Sequence, residues 1–367
     1  MKELTFGKLK IGGAKTVIIA EIADSHNGSM ETAKKLVDAA KAAGADVAKF
    51  QLHLVGKNEV DGKNEMIPGS IQMWDGPLYD ILQRNLFTPE MHKEIKAYSE
   101  DVGIEYLCTP FCETAVHVLN DIVEVKAFKT GSGELDNLLQ HRTIARISAK
   151  TGKPVIVSTG MSTWEEIAET VKVYEEEGAK ENLMLMHCVS EYPTKDYAHV
   201  NLGLIPRMKE EFGVLVGWSD QAPENHMAFA AASLGANAIE KHFTLDHNQK
   251  GPDHFIALEP QDLKDLVEGV RRIEVALGSE KRISPEEQVV RDWAFHSATR
   301  VRDIKKGEEF TLENLLERRP RTMIIDGVKK EGIPSKYLDR RYAGKLLDKR
   351  ARRDISKDSV LLWDDVE

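Results

Sequence analysis

The stretch from residue 17 to residue 51, VIIAEIADSHNGSMETAKKLVDAAKAAGADVAKFQ, contains the pattern that decides the fold. Its apolar runs at 17–21 and 45–51 are typical of buried strands, and residues 30–44 between them have the spacing of an amphipathic helix. A strand, a helix and another strand in this order predict one strand–helix–strand unit of an α/β protein. The next 200 residues repeat the same alternation.

Six further apolar runs predict strands at 104–109, 125–130, 154–159, 183–188, 214–219 and 238–243. Helical patterns separate them, and those at 88–103 and 163–178 each begin with a threonine that can cap the helix and end at a glycine that can close it. Eight strands, each followed by a helix, over roughly 280 residues predict a (β/α)8 TIM barrel. The alternative, an open doubly wound sheet, requires a Gly-rich dinucleotide turn, which EIADSHNG (21–28) does not supply.

The pattern changes towards the C-terminus. We predict a barrel domain at 1–280, a charged linker at 281–293 and a small β-rich domain at 294–367. The last segment has a formal charge of roughly +4, against roughly −14 for the rest, which also indicates a separate module. The connection at 52–87, which contains Trp74, is long for a barrel and predicts a lid or a small subdomain.

Composition excludes several classes of protein. A net charge of −10 argues against a nucleic-acid binder, because phosphate contacts require a basic surface. The three cysteines (Cys108, Cys112 and Cys188) have neither a disulfide rhythm nor a usual zinc spacing, so they are expected to be buried thiols in a reducing compartment. No apolar run approaches the roughly 18 residues of a membrane helix. These features favour a soluble cytoplasmic protein.

Nearly every predicted strand ends in a polar residue. These residues, with the segments that follow directly, are Glu21, Lys49, Gln51, Lys129, Ser132, Ser158, His187, Tyr192, Ser219, Asp220, Glu240, Lys241 and His242. In a barrel the carboxyl ends of the strands form the active-site face. Lysines, serines and a Gly-Ser-Gly turn gathered there would hold a small polyanion. The alternative is structural, with Lys49 and Lys129 paired to Glu21 and Glu134.

Successive blocks of the chain resemble the sialic acid (N-acetylneuraminate) synthase family. The blocks are the stretch quoted above, FKTGSGEL (128–135), KPVIVSTGMST (153–163), SEYPT (190–194), GWSD (217–220), GANAIEKHFTLD (235–246) and GPDHFIALEP (251–260). The tail, with IKKGEEFTLENLLERRP (304–320) and ARRDI (351–355), resembles the C-terminal antifreeze-like (SAF) domain of that family. The resemblance spans nearly the whole chain and implies a barrel followed by a SAF domain.

The resemblance implies a reaction and a set of site residues. The family condenses phosphoenolpyruvate (PEP) with a 2-acetamido sugar such as N-acetylmannosamine, which gives a nine-carbon 2-keto acid and phosphate for surface or coat polysaccharides. By carry-over, the PEP ligands are Lys49, Lys129, Ser132, Ser158 and Ser219, and the sugar contacts are Gln51, Tyr192, Asp253 and Arg319. Glu21 would relay protons, and the implied catalytic set is Glu21, Lys49, Lys129 and Tyr192. Arg319 would reach the barrel of the partner subunit in a domain-swapped homodimer.

The implied cofactor is a divalent metal, most often Mn²⁺, held in part by His242. The family usually has a second histidine ligand after Ser-Asp, where this chain has Gln221. An amide oxygen binds transition metals more weakly than imidazole does, so we expect loose binding or a harder ion such as Mg²⁺.

The segment 321–335 is longer than the family's short turn and leaves the acceptor open. The candidates are N-acetylmannosamine, its 6-phosphate, and a legionaminic, pseudaminic or spore-coat precursor.

Two other functions remain open from the sequence. A Schiff-base aldolase on the same barrel would use Lys129 or Lys241 as its nucleophile. A non-catalytic sugar-binding or ice-binding protein would explain the antifreeze-like tail, but it would not require lysines at the strand ends.

Overall fold

Eight parallel strands form the centre of the first of two units in this chain. The computed structural model describes residues 2–56, 59, 78–357 and 359–367. By internal contacts the chain divides after Gly278, and the second unit begins at Ser279. None of the helices within these ranges is long and apolar enough to cross a membrane.

Parallel ladders join the eight strands in the order β5-β4-β3-β10-β9-β8-β7-β6. Strands β5 and β6, at the two ends of this order, lie beside each other, so the sheet curves into the predicted TIM barrel. The strands are β3 (Val17–Glu21), β4 (Val47–Leu52), β5 (Glu105–Pro110), β6 (Phe128–Thr130), β7 (Val155–Ser158), β8 (Leu183–Cys188), β9 (Leu215–Asp220) and β10 (Ala238–His242). All eight predicted strands are therefore present, although β6 begins three residues later than predicted.

Helices connect the strands and cover the outside of the sheet. They are α1 (Met30–Ala43), α2 (Leu78–Asn85), α3 (Pro89–Val102), α4 (Glu113–His117), α5 (Leu138–Thr151), α6 (Trp164–Glu176), α7 (Leu204–Phe212), α8 (His226–Ser233) and α9 (Pro260–Ala276). Thr88 and Thr163 cap α3 and α6 as predicted, since each side chain accepts a hydrogen bond from a backbone N–H of the first turn. Most of the predicted lid, residues 57–58 and 60–77, lies outside the described residues.

A hairpin that the sequence analysis did not predict closes the amino end of the barrel. It consists of β1 (Leu4–Phe6) and β2 (Leu9–Ile11), whose buried side chains pack with the lower interior residues of the strands. Gly7, at the turn, has φ +57°, and a Cβ there would collide with the Glu105 carboxylate. The same carboxylate accepts a hydrogen bond from the Lys8 N–H at 2.8 Å. The lower interior of the barrel is thus filled by apolar side chains.

The second unit has its own small core. It contains α10 (Pro285–Ala294) and two antiparallel pairs, β11 (Ser297–Arg300) with β12 (Leu315–Arg318) and β13 (Thr322–Ile325) with β14 (Val328–Glu331). Helix α10 occupies most of the stretch that we expected to be a linker.

The long segment 321–335 folds largely into the hairpin of β13 and β14. Its turn, Asp326-Gly327, has positive φ at both residues, as Asp-Gly turns of two-residue hairpins do. Thr322 and Lys329 both bond to Asp292 of α10, which fixes the hairpin on that helix.

Candidate active site

Strand periodicity decides which side chains enter the barrel. The lower interior is filled by an apolar cluster that includes Ile19, Val47, Ala127, Ile156 and Ala238. Side chains two residues further along a strand point to the same face. The interior residues at the carboxyl ends are accordingly Glu21, Lys49, Lys129, Ser158 and Glu240, and all five are buried. We call this upper interior the barrel mouth.

Four charged groups of the barrel mouth form one connected cluster, which we call the lysine–glutamate cluster. Lys49 Nζ lies 2.9 Å from Glu240 Oε1 and 3.2 Å from Glu21 Oε2. Lys129 Nζ lies 3.9 Å from Glu240 Oε2. The two lysines therefore converge on one carboxylate from separate strands, and Glu240 is the partner that the sequence analysis did not identify for them.

Only one of the two ion pairs of the structural alternative is present. Lys49 does pair with Glu21, but the ionic contact of Lys129 is with Glu240. Burial raises the pKa of Glu134 to about 7, although Lys129 opposes the shift.

Burial and neighbouring charges separate the protonation states within the cluster. Burial lowers the pKa of Lys129 to about 8, although Glu240 opposes the shift. Burial also acts against the charge of Lys49, but the two carboxylates outweigh it and raise its pKa. At Glu240 the two lysines outweigh burial and lower the pKa. At Glu21 burial dominates and raises the pKa. Glu240 is therefore ionised, while Glu21 is the carboxylate that can exchange a proton.

Three serines add hydroxyl groups around this cluster. Ser158 Oγ accepts a hydrogen bond from Lys129 Nζ at 2.5 Å, and Ser219 Oγ donates to Glu240 Oε1 at 3.1 Å. Ser132 Oγ accepts from the Gly160 N–H at 3.0 Å. A Cβ at Gly160 would collide with the hydroxyls of Ser132 and Ser190, so a larger residue here would displace both hydroxyls. The five residues expected to bind PEP thus lie around one end of the barrel.

Gln51 connects the cluster to a histidine that the sequence analysis missed. Its Nε2 donates to Glu21 Oε1 at 2.8 Å, and its Oε1 lies 3.1 Å from His53 Nε2. His53 Nδ1 in turn lies 2.5 Å from Glu59 Oε1. His53 is two residues after Gln51 on the chain, and this spacing was the signal that could have identified it.

His242 and Gln221 are the residues that bear on a metal. The ladder pairs Lys241 with Asp220, so the residues that follow, His242 and Gln221, come next to each other. His242 Nδ1 and Gln221 Oε1 are both buried without a hydrogen-bond partner. Burial lowers the pKa of His242 to about 3, which keeps the imidazole neutral, as a metal ligand must be.

These two unpartnered acceptors fit a divalent cation, but they would hold it weakly. Within the described ranges, no group of three or more His, Cys, Asp or Glu side chains could hold a metal ion. A cation at this place would therefore depend on the amide oxygen of Gln221 and on water, both weaker ligands than imidazole for transition metals.

The residues expected to contact the sugar fall into two groups. Asp253 Oδ2 lies 3.8 Å from His242 Nδ1, and the Tyr192 ring lies edge-on to the His242 ring with 6.1 Å between centroids. Burial, with added repulsion from Asp24 and Glu21, raises the pKa of Asp253 to about 7. Gln51, Tyr192 and Asp253 thus border the site. Arg319 is exposed and belongs to the second unit, so its role across a subunit boundary stays a prediction.

Lys241, one residue after Glu240, points the other way. Its Nζ lies 3.3 Å from Asp220 Oδ2 and donates to the backbone oxygens of Ala222 and Glu224. Its neighbour Ile239 belongs to the apolar layer between strands and helices, which Lys241 also faces. Lys241 is therefore a structural residue, and the alternative in which it forms a Schiff base in the barrel is not supported by its position.

Comparison with known proteins identifies the family. The model of the NeuB family matches residues 36–282, and that of the SAF domain matches residues 297–367. The chain belongs to the NeuB family. An N,N'-diacetyllegionaminic acid synthase of Campylobacter jejuni is 39% identical to this NeuB-family chain over 310 residues, which cover 83% of this chain and 91% of that protein. The human N-acetylneuraminate-9-phosphate synthase is 32% identical over 321 residues, which cover 85% of this chain and 86% of that protein.

A solved structure gives the same result. The N-acetylneuraminic acid synthetase of Leptospira borgpetersenii, in complex with citrate, matches this NeuB-family chain with a TM-score of 0.67 at 28% identity, over 79% of this chain and 95% of that one. The resemblance and the fold predicted from the sequence are thus confirmed. Membership among synthases also shows that the protein is an enzyme, which argues against the non-catalytic alternative.

Proposed function

We propose that this enzyme condenses PEP with the aldehyde form of a 2-acylamido sugar and releases a nonulosonic acid and inorganic phosphate. The observation that carries the proposal is the lysine–glutamate cluster, in which Lys49 and Lys129 converge on Glu240 beside serine hydroxyls. Two buried ammonium groups that share one carboxylate can accept a second, multiply charged anion. PEP, with a carboxylate and a phosphate, is such an anion.

The proposed roles follow from the positions of the residues. Lys49, Lys129, Ser132, Ser158 and Ser219 would bind PEP. They would hold it with C3 towards the sugar side of the barrel mouth, where Gln51, Tyr192 and Asp253 lie. The raised pKa of Asp253 leaves a share of its carboxyl groups protonated near neutral pH, so that they can donate a hydrogen bond to a sugar hydroxyl.

Glu21 is the proposed proton carrier. In the reaction, C3 of PEP forms a bond to the aldehyde carbon, water adds to C2, and cleavage of the C2–O bond releases phosphate and leaves a ketone. The water must lose a proton, and the aldehyde oxygen, which becomes a hydroxyl, must gain one. Glu21 is buried beside Lys49 and has a raised pKa, which suits a group that takes up and returns a proton near neutral pH.

A divalent metal, Mn²⁺ or Mg²⁺, is part of the proposal. His242 and Gln221 would hold it, and when bound it would supply Lewis-acid polarisation of the sugar aldehyde.

A homodimer with exchanged C-terminal domains is also proposed, because Arg319 lies in the second unit. If each active site uses Arg319 of the other subunit, a mixture of inactive Lys49→Ala and Arg319→Ala chains should recover part of the activity. Absence of any recovery in mixed dimers would remove the exchange from the proposal.

The acceptor sugar is proposed only as a class. Relatives of comparable similarity are named for legionaminic, pseudaminic and N-acetylneuraminate 9-phosphate products. The deciding experiment is a phosphate-release screen of PEP with N-acetylmannosamine, its 6-phosphate and diacetamido sugars, each with Mn²⁺, Mg²⁺ or chelator. We expect phosphate release with at least one acceptor and a matching keto acid by mass spectrometry. Tight sugar binding without phosphate release from any pair would contradict the proposed function.

A Schiff-base aldolase is the second candidate, and one observation favours it. Burial lowers the pKa of Lys129 to about 8, which makes a neutral amine more accessible than for an ordinary lysine. Borohydride with a keto-acid substrate would trap an adduct on Lys129 of an aldolase. A PEP condensation gives phosphate and no adduct.

A further inference from the structure

His53 takes part in a hydrogen-bonded chain that runs through one amide to the lysine–glutamate cluster. Glu59 lies against His53 Nδ1, His53 Nε2 faces Gln51 Oε1, and Gln51 Nε2 faces Glu21. His53 and Glu59 are both buried, with side chains 8% and 6% exposed. The His53 ring also stacks on Phe111, with 4.3 Å between centroids. The ring therefore has one defined position.

The partners of His53 define what each ring nitrogen faces. Nδ1 faces the Glu59 carboxyl group, whose Oε2 also accepts the Leu54 N–H at 2.7 Å. Nε2 faces the Gln51 carbonyl oxygen, to which a protonated Nε2 donates a hydrogen bond.

We infer that His53, held in place by Glu59 and Phe111, is a positioning residue whose Nε2–H group fixes the Gln51 amide with its N–H₂ group towards Glu21 and the sugar side of the barrel mouth. The opposite orientation of the amide would place its N–H₂ group against His53 and its oxygen against Glu21. It would require a His53 Nε2 without a proton. The proton on His53 Nε2 therefore decides which end of the amide meets the sugar. The inference deepens the proposed function, on which it rests only for the identity of the substrate.

The first test uses ring-¹⁵N-histidine-labelled wild-type protein and needs no substrate. Long-range ¹H–¹⁵N spectra at pH 7 should show a proton on Nε2 of His53, with the signal assigned by its absence from His53→Phe. A His53 Nε2 without a proton in the wild-type protein would overturn the inference, whether or not the protein condenses PEP.

The second test separates the two substrates. His53→Phe keeps the stack on Phe111 and removes both ring nitrogens, so we expect the KM of the acceptor sugar to rise at least about tenfold while the KM of PEP changes less than about twofold. His53→Gln, whose amide can again donate to Gln51, should recover part of the loss. If His53→Phe does not fold, His53→Gln takes its place in this test.

The matched control is His26→Phe. His26 is a buried histidine stacked on Phe87 at 4.0 Å, and its Nδ1 accepts a hydrogen bond from the Gly28 N–H. An unchanged sugar KM in His53→Phe, or an equal rise in His26→Phe, would overturn the inference. A wild-type enzyme that releases no phosphate from PEP would contradict the proposed function alone, and the NMR result would still decide the role of His53.

Discussion

Lys129 and Lys241 are equally buried, each 1% exposed, but they lie on opposite faces of the same sheet. Lys241 faces the helices and has a complete set of partners: the Asp220 carboxylate and two backbone oxygens. Lys129 faces the barrel interior, where its Nζ donates to Thr130 O and Ser158 Oγ, but its carboxylate contact is a long one of 3.9 Å and is shared with Lys49. A buried lysine is therefore not evidence of a site in itself. The informative property is whether the lysine has a close carboxylate of its own.

The largest expected effect separates the two lysines by activity. Lys129→Met should lower the rate of phosphate release from PEP at least about 1000-fold, which corresponds to roughly 4 kcal/mol of transition-state stabilisation. The fold should persist, because Glu240 keeps Lys49 and Ser219 as partners. Steady-state phosphate release and the circular dichroism spectrum measure the two properties. Activity within tenfold of wild type would remove Lys129 from the proposed PEP site.

The second prediction reverses the comparison and concerns stability. Lys241→Met leaves the Asp220 carboxylate buried without its cation, which should lower the free energy of unfolding by about 3–5 kcal/mol. Urea denaturation measures this loss. The double variant Lys241→Met with Asp220→Asn should regain part of it, because the second change removes the uncompensated charge. If Lys241→Met were as stable as wild type but inactive, Lys241 would belong to the catalytic groups after all.

The difference between the two faces of the sheet also explains how much of the fold and of the site could be predicted from the sequence. The (β/α)8 fold follows from local periodicity, and the predicted strand bounds agree with the structure to within one to three residues. Hairpin β1–β2 was missed because strands of three residues leave too little alternation to detect. The polar residues at the strand ends were predicted for the same reason as the fold, because each of them directly follows an apolar run.

Partnerships across strands were not predictable in the same way. Which carboxylate meets Lys129 depends on the register of non-neighbouring strands, so the sequence suggested Glu134 and the structure shows Glu240. The inward direction of Glu240 and the outward direction of Lys241 follow from the strand period once the strand is placed. The hydrogen-bonded series from Glu59 through His53 and Gln51 to Glu21 was not predicted. Glu59 lies in the long connection 52–87, and the sequence does not give the position of that connection.

The third prediction concerns the two unpartnered acceptors on the inner face. Gln221→His replaces an amide oxygen with imidazole beside His242 and should tighten Mn²⁺ binding on the order of tenfold. Isothermal titration with Mn²⁺ measures the change. His242→Ala, alone or combined with Gln221→His, is the control and should weaken binding. Tight Mn²⁺ binding that survives His242→Ala would show that the cation binds elsewhere.

The smallest expected effect is a pH dependence of kcat/KM for PEP that only Lys129, the lysine inside the barrel, should cause. Burial places the pKa of Lys129 at about 8, so its amine is protonated below this pH and loses its charge above it. Because the proposed PEP contact requires the charged form, kcat/KM for PEP should fall above about pH 8, approaching tenfold per pH unit. Bound PEP stabilises the ammonium, so the fall in kcat should begin at a higher pH than the fall in kcat/KM.

The control for this pH profile is a variant whose side chain at position 129 keeps its positive charge at every pH tested. Arginine stays protonated across the range, so Lys129→Arg, even with a lower absolute rate, should show no fall in kcat/KM near pH 8. Lys241→Arg changes the outer lysine instead and should leave the fall in place. If the wild-type and Lys129→Arg profiles coincide, another group titrates near pH 8. The contrast between a buried lysine with a carboxylate of its own and one that shares its carboxylate would then have no kinetic consequence.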